Sequence, residues 1–291
     1  MQTIAKTKIT VETTVKAPVE RVWKLWTEPW HILHWNSPSI DWHTTYSEND
    51  FRVGGRLLSR MESVDGKDGF DFSGEYTNIE LYKHIDYVIA DGRRVWVSFE
   101  DKGNSTRVAE IFEAESENSP EFQQEGWQAI LDNFGRYTES YKEDDLHYEI
   151  LISCKPDKLF KTITGEDTFK EWTKPFNPSS YFNGSWKKGS KIEFLGSDKN
   201  GNKSGMVSRI RENISGKFIS IEHMGIIEKG IEITCGPDVD DWQGAMENYT
   251  LIPIGNKTNL VVDADAAGEF GEMGEIWPQA LDKLKEVCER N

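Results

Sequence analysis

Hydrophobic and polar residues alternate with period two over residues 8–16, then shift to helical spacing over 18–26, where Val19, Val22, Trp23 and Trp26 share a face. A strand running into a helix is predicted there. A second short helix is predicted to end near Trp35, and period two returns in runs over 55–63, 70–79, 84–90, 94–100 and 106–114. Phe70, Phe72, Gly74 and Tyr76 take one face while Asp71, Ser73 and Glu75 take the other, as in an antiparallel sheet with one wet side. Over 119–141, Phe122, Trp127, Ile130, Leu131 and Phe134 trace an amphipathic helix long enough to cross such a sheet.

The same order returns in the second half of the chain, and three anchors mark the duplication. Val15-Lys16-Ala17-Pro18 leads into a helical run as Ser153-Cys154-Lys155-Pro156 does, each Pro suiting a first helical turn. Gly103-Asn104-Ser105-Thr106-Arg107-Val108 matches Gly255-Asn256-Lys257-Thr258-Asn259-Leu260, a Gly-Asn turn between two strands. Trp127-Gln128-Ala129-Ile130-Leu131-Asp132 matches Trp277-Pro278-Gln279-Ala280-Leu281-Asp282. The prolines stand 138 residues apart (156 − 18) and the tryptophans 150 apart (277 − 127), so the second copy carries extra length, expected as a loop over 225–244.

The predicted fold class is therefore α+β: two tandem helix-grip domains over residues 1–141 and 146–291, each a curved antiparallel sheet wrapped on a long C-terminal helix. Such an arrangement leaves a cavity between helix and sheet. The link Lys142-Glu143-Asp144-Asp145 is short, charged and free of Gly or Ser runs, so the domains are expected to lie close together.

Composition narrows the partners. A net charge of −16, from 50 acidic against 34 basic residues, repels phosphate backbones, and nucleic acid is not an expected partner. Apolar runs stop well short of the roughly 20 residues a bilayer span needs, and Lys6 and Lys8 are not followed by an apolar core, so a cytoplasmic location is expected. Cys154, Cys235 and Cys288 are far apart and never in C-x-x-C spacing, which predicts reduced thiols and no zinc site.

The order of elements, the G-x-x-T-x-[VL] hairpins, the helix starts Gly126-Trp127 and Ile276-Trp277, and Trp35 and Trp172 near the ends of the second helices together resemble the START-like, or SRPBCC, superfamily. Within it, the chain is similar to the branch named for the activator of heat-shock protein 90 ATPase, over residues 9–140 and 146–287. The resemblance implies apolar ligand binding, occasional cyclase or hydrolase chemistry, or chaperone stimulation. Dedicated eukaryotic activators carry a further N-terminal domain with an Asn/Trp-rich motif, whereas this sequence opens on the helix-grip strand, so a chaperone partner is expected less than a small hydrophobic molecule.

No G-x-S-x-G elbow, phosphate-binding loop or dinucleotide fingerprint occurs, so no catalytic residue is assigned, no cofactor is expected, and the reading leans towards a binder. His31 and His34 could hold a metal with Asp41 or His43, yet they are expected to lie beside tryptophans at the cavity mouth. Asp198, Asn200, Asn202 and Ser204 have calcium-loop spacing, but Arg209 stands where a bidentate Glu belongs, which predicts a hairpin turn. Asp238, Asp240 and Asp241 read as a solvated loop tip. No metal site is expected.

The residues expected to line the cavities are Trp35, Val97, Phe99, Glu110, Trp127, Leu131 and Phe134 in the first copy, and Trp172, Tyr249, Leu251, Trp277, Leu281 and Leu284 in the second. Glu110 is the polar exception. Val108 and Phe112 point inward by period two, and so should Glu110 between them, where the second copy has Val262.

Overall fold

A computed structural model describes residues 7–141, 145–266 and 272–290; of the charged link, residues 142–144 lie outside them. The chain divides into two compact units, Met1–Tyr141 and Lys142–Asn291.

In the first unit the elements run β1 (Lys8–Val15), α1 (Val19–Thr27), α2 (Pro29–Trp35), β2 (Trp42–Asn49), β3 (Arg56–Ser63), β4 (Gly69–Glu80), β5 (His84–Ile89), β6 (Arg94–Asp101), β7 (Thr106–Glu113) and α3 (Pro120–Ser140). Among the described residues seven strands form one antiparallel sheet in the order β1-β7-β6-β5-β4-β3-β2. Register shifts at Thr44/Tyr46 and Tyr76/Asn78 insert bulges that bend the sheet. It curls around α3, whose first turn is capped by the Ser119 hydroxyl accepting from the Phe122 N–H at 3.2 Å, with Pro120 at the start where no N–H is needed.

Strand β2 is an addition to the sequence reading. Its bulge puts Thr44, Thr45, Tyr46 and Ser47 consecutively in buried positions, which erases the alternation that would have marked it.

The second unit repeats the plan with β8 (Leu146–Ile152), α4 (Pro156–Thr164), α5 (Glu166–Trp172), β9 (Tyr181–Gly184), β10 (Lys191–Ser197), β11 (Lys203–Ile214), β12 (Phe218–Glu228), β13 (Ile231–Ile233), β14 (Met246–Ile254), β15 (Lys257–Ala264) and α6 (Trp277–Glu289). Its sheet order is β8-β15-β14-β12-β11-β10-β9, with β13 on β12. Both units are thus helix-grip folds of the α+β class.

Three differences from expectation have local causes. The first is register: α1 and α4 are each nine residues long and begin 137 apart (156 − 19), so Pro156 opens α4 whereas Pro18 is the residue before α1, extended at ψ 153°. The second is the covering helix of the second unit, 13 residues against 21, because Pro278 can stand only in a first turn. The third is the segment 225–244, expected as loop. Its first part is a hairpin, with Ile226 opposite Ile233 and the turn at Lys229 and Gly230 made by positive φ at both. Its remainder is pinned by Val239 and Trp242, which are buried against Met206, Ile226 and Ile233.

The shared G-x-x-T motif has a structural role in both units. Thr106 and Thr258 are fully buried, and each hydroxyl donates to the carbonyl at the strand-to-helix elbow, of Ala17 at 2.9 Å and of Cys154 at 2.8 Å. The motif ties the last hairpin to the start of its own repeat.

Each unit also has its own main core, one built on Trp23, Phe112 and Phe134, the other on Trp172, Ile210 and Leu284. Expressed alone, residues 1–141 are expected to unfold in one cooperative transition. A featureless thermal melt of that fragment by circular dichroism would show that the first repeat cannot fold unaided.

Candidate cavities and their polar groups

The two longest-range consequences of the fold are a cavity of about 590 Å³ in the first repeat and one of about 690 Å³ in the second. Both fall in the range of small-molecule sites. In the first, α3 supplies Trp127, Ile130 and Leu131, α2 supplies Trp35, and the sheet supplies Phe72, Tyr76, Tyr87 and Glu110. Trp127 is held by stacking on Phe112, ring centres 4.0 Å apart, with Phe72 edge-on at 6.0 Å.

Glu110 lies on this wall, 6% exposed, and accepts a hydrogen bond of 3.0 Å from the Tyr87 hydroxyl. Among the described residues no cation pairs with it. Burial pushes its carboxyl up to about 7, the Tyr87 bond pulling partly the other way. Tyr87 is driven well above its ordinary value by burial and by the adjacent carboxyl. At neutral pH this carboxyl can therefore either donate or accept, which suits it to a ligand carbonyl or hydroxyl.

In the second repeat Val262 takes the place of Glu110, since Val97 faces Glu110 across β6 and β7 as Tyr249 faces Val262 across β14 and β15. The polar pair has moved one strand over. Glu247 and Tyr249 stand two apart on β14, and the Tyr249 hydroxyl donates to the Glu247 carboxyl. His223, 1% exposed, sets Nε2 3.6 Å from Glu247 Oε2 and Nδ1 3.0 Å from the Ser208 hydroxyl. The imidazole thus stands between the Glu247 carboxyl and the Ser208 hydroxyl. Ser208 is fully buried behind the ring and does not line the cavity.

The thirteen residues expected at the cavities divide into two groups. Trp35, Glu110, Trp127 and Leu131 line the first cavity, and Trp172, Tyr249 and Trp277 the second. Val97, Phe99 and Phe134, with Leu251, Leu281 and Leu284, are packed in the dry cores instead, because the sheet and helix close on each other at that end. Tyr87, Glu247 and His223 escaped sequence reasoning. For Glu247 a signal existed, since two steps back from the inward Leu251 and Tyr249 period two arrives at Glu247.

The other constellations resolve locally. His31 Nδ1 meets the Tyr137 hydroxyl at 2.8 Å and His34 Nδ1 the Trp30 carbonyl at 2.8 Å, both away from the cavity wall. The mouth position expected for them is replaced by packing against the end of α3. Asp198 accepts from the N–H groups of Asn200 and Asn202, each at 2.8 Å, closing the β10–β11 turn. In the acidic segment, Asp238 and Trp242 line the second cavity. Among the described residues no group of three or more His, Cys, Asp or Glu is placed to hold a metal, and no helix is long and apolar enough to cross a membrane.

The family model described as Activator of Hsp90 ATPase homolog 1-like protein matches residues 16–139 and again 153–289. No curated protein matches the chain. Among solved structures, the AHSA1-like protein from Aeromonas hydrophila is 45% identical over 46% of this chain and 93% of its own, with a TM-score of 0.44. The di-domain ARO/CYC BexL from the BE-7585A biosynthetic pathway is 10% identical, covers 98% of this chain and 99% of its own, and has a TM-score of 0.55. The di-domain ARO/CYC StfQ from the steffimycin biosynthetic pathway is 12% identical over 97% and 98%, with a TM-score of 0.54. The last two likenesses establish the tandem fold.

Proposed function

The chain belongs to the Activator of Hsp90 ATPase homolog 1-like family, and from that premise we propose that it is a binding protein for a small, largely apolar molecule held in the helix-grip cavity of its first repeat. The observation that carries this reading is a cavity of about 590 Å³, walled by aromatic side chains, with one buried carboxyl, Glu110, backed by Tyr87. The aromatic walls would remove the ligand body from water and the carboxyl would orient its single polar group.

Gly126 supplies a test that leaves the core intact. It lines the cavity from α3, and a Cβ there would meet nothing within 4 Å. Gly126→Leu should fill the space while improving helix propensity. Native mass spectrometry of freshly purified protein is expected to show a bound small molecule in the parent and its loss in Gly126→Leu. Absence of any adduct, together with unchanged uptake of an apolar fluorescent probe by the variant, would sink the proposal.

A second reading, acid–base chemistry, draws on the buried Glu247 and His223 of the other cavity. A pH-dependent turnover abolished by His223→Gln would favour it over simple binding. The chaperone-partner reading predicts pulldown of an ATPase that survives Gly126→Leu.

A further inference from the structure

We propose that Cys154 and Cys288 are a modification site, forming a reversible disulfide within the second repeat on reaction with a low-molecular-weight disulfide. Their Sγ atoms lie 2.8 Å apart, closer than two sulfurs rest without bonding or sharing a proton, and both side chains are buried. Cys154 sits at the elbow between β8 and α4, and Cys288 next to last in α6. The bond would join the opening of the repeat to the last turn of the helix that closes it.

The first repeat shows that the fold does not need sulfur here. Ala17 is the counterpart of Cys154, because each receives the buried threonine hydroxyl on its carbonyl and each sends its N–H two residues back, to Val15 or Ile152. Thr138 is the counterpart of Cys288, each standing eleven residues after its helix tryptophan (138 − 127 and 288 − 277). Ala17 and Thr138 are buried as well. Small residues suffice to pack this spot, yet in the second repeat both positions are cysteine and the two sulfurs touch.

Burial, with the neighbouring Cys288 adding to it, pushes the Cys154 thiol up to about 12, so the closed protein keeps it protonated and slow to react. Attack proceeds when the last turn of α6 opens. One protein thiol, its proton lost to water, attacks a sulfur of oxidised glutathione and expels one glutathione thiolate; the second protein thiol then attacks the protein sulfur of the mixed disulfide and expels the other. Two protein thiols are oxidised and one small disulfide is reduced to two thiols. Since Trp277 at the other end of α6 lines the second cavity, the bond also tethers the helix that walls it.

Cys235 is exposed and would take up glutathione on its own, so the test uses full-length Cys235→Ser. After incubation with oxidised glutathione, denaturation and alkylation, peptide mapping is expected to show a Cys154–Cys288 cross-link, with the mass of two hydrogens lost and no glutathione retained. The melting midpoint of the second repeat should rise by roughly 10 °C, given the long loop closed, and dithiothreitol should reverse it. Adding Cys154→Ala and Cys288→Thr, the residues of the first repeat, should abolish both changes. Recovery of both cysteines alkylated, or each carrying its own glutathione, would overturn the proposal, as would a cross-link that leaves the midpoint unmoved.

Discussion

Phe134→Ala is expected to destabilise the first repeat by about 3–5 kcal/mol and to leave the second at its parent stability. Phe134 is fully buried and packs edge-on to Trp26 at 4.9 Å and to Trp35 at 5.0 Å, at the end of the grip where helix and sheet meet without a gap. Truncation leaves a void ringed by rigid aromatics that cannot collapse into it. Leu131, one turn earlier on α3, is 1% exposed but borders the cavity, so its truncation merely enlarges a space already present. Leu131→Ala should fall near about 2 kcal/mol, the low end for such changes. Hydrogen exchange in increasing urea, followed by mass spectrometry, reads the two repeats separately. A cost for Phe134→Ala under about 1 kcal/mol would mean that α3 does not close over a dry core.

Glu110→Gln should stabilise the protein above pH 7 and change the sign of little else. The folded carboxyl holds its proton to about 7 while the unfolded one releases it near 4.5, so between those values the folded state binds more protons. Stability contributed by this group is therefore present below pH 4.5 and lost as pH rises through 7. The full difference is about 3 kcal/mol, and the Gln side chain, which never ionises, should not show it. Denaturation midpoints of parent and variant from pH 4 to pH 8 are expected to diverge across that window and run parallel above it. Parallel curves throughout would place the ionised carboxyl in contact with water.

The strands carrying the cavities were legible because period two survives wherever a strand is straight, and α1, α2 and α3 because tryptophans and aliphatics recur at helical spacing. Where a bulge breaks the alternation, as in β2, the signal vanishes although the strand is real. Periodicity reports the face of a residue and not its depth. Val97, Phe99 and Phe134 share the inward side with Glu110 and Leu131, and only three-dimensional closure decides which meet a void. The duplication did more, since comparing Glu110 with Val262 singled out a position that one chain segment alone would not have distinguished. It also conceals Glu247, which lies on the strand beside the matching site, and contacts such as Cys154 with Cys288, 134 residues apart, leave no local trace.

In the first repeat the buried hydroxyl and carboxyl come from β5 and β7, whereas in the second both come from β14, so the two polar pairs cannot be exchanged residue by residue. Copying Val262 onto position 110 would strand the Tyr87 hydroxyl without its acceptor, at about 1–3 kcal/mol. The reverse copy would bury a second carboxyl beside Tyr249, whose hydroxyl is already committed to Glu247. Either single exchange leaves a buried polar group short of a partner, so each hydroxyl–carboxyl pair is interchangeable between the repeats only as a unit.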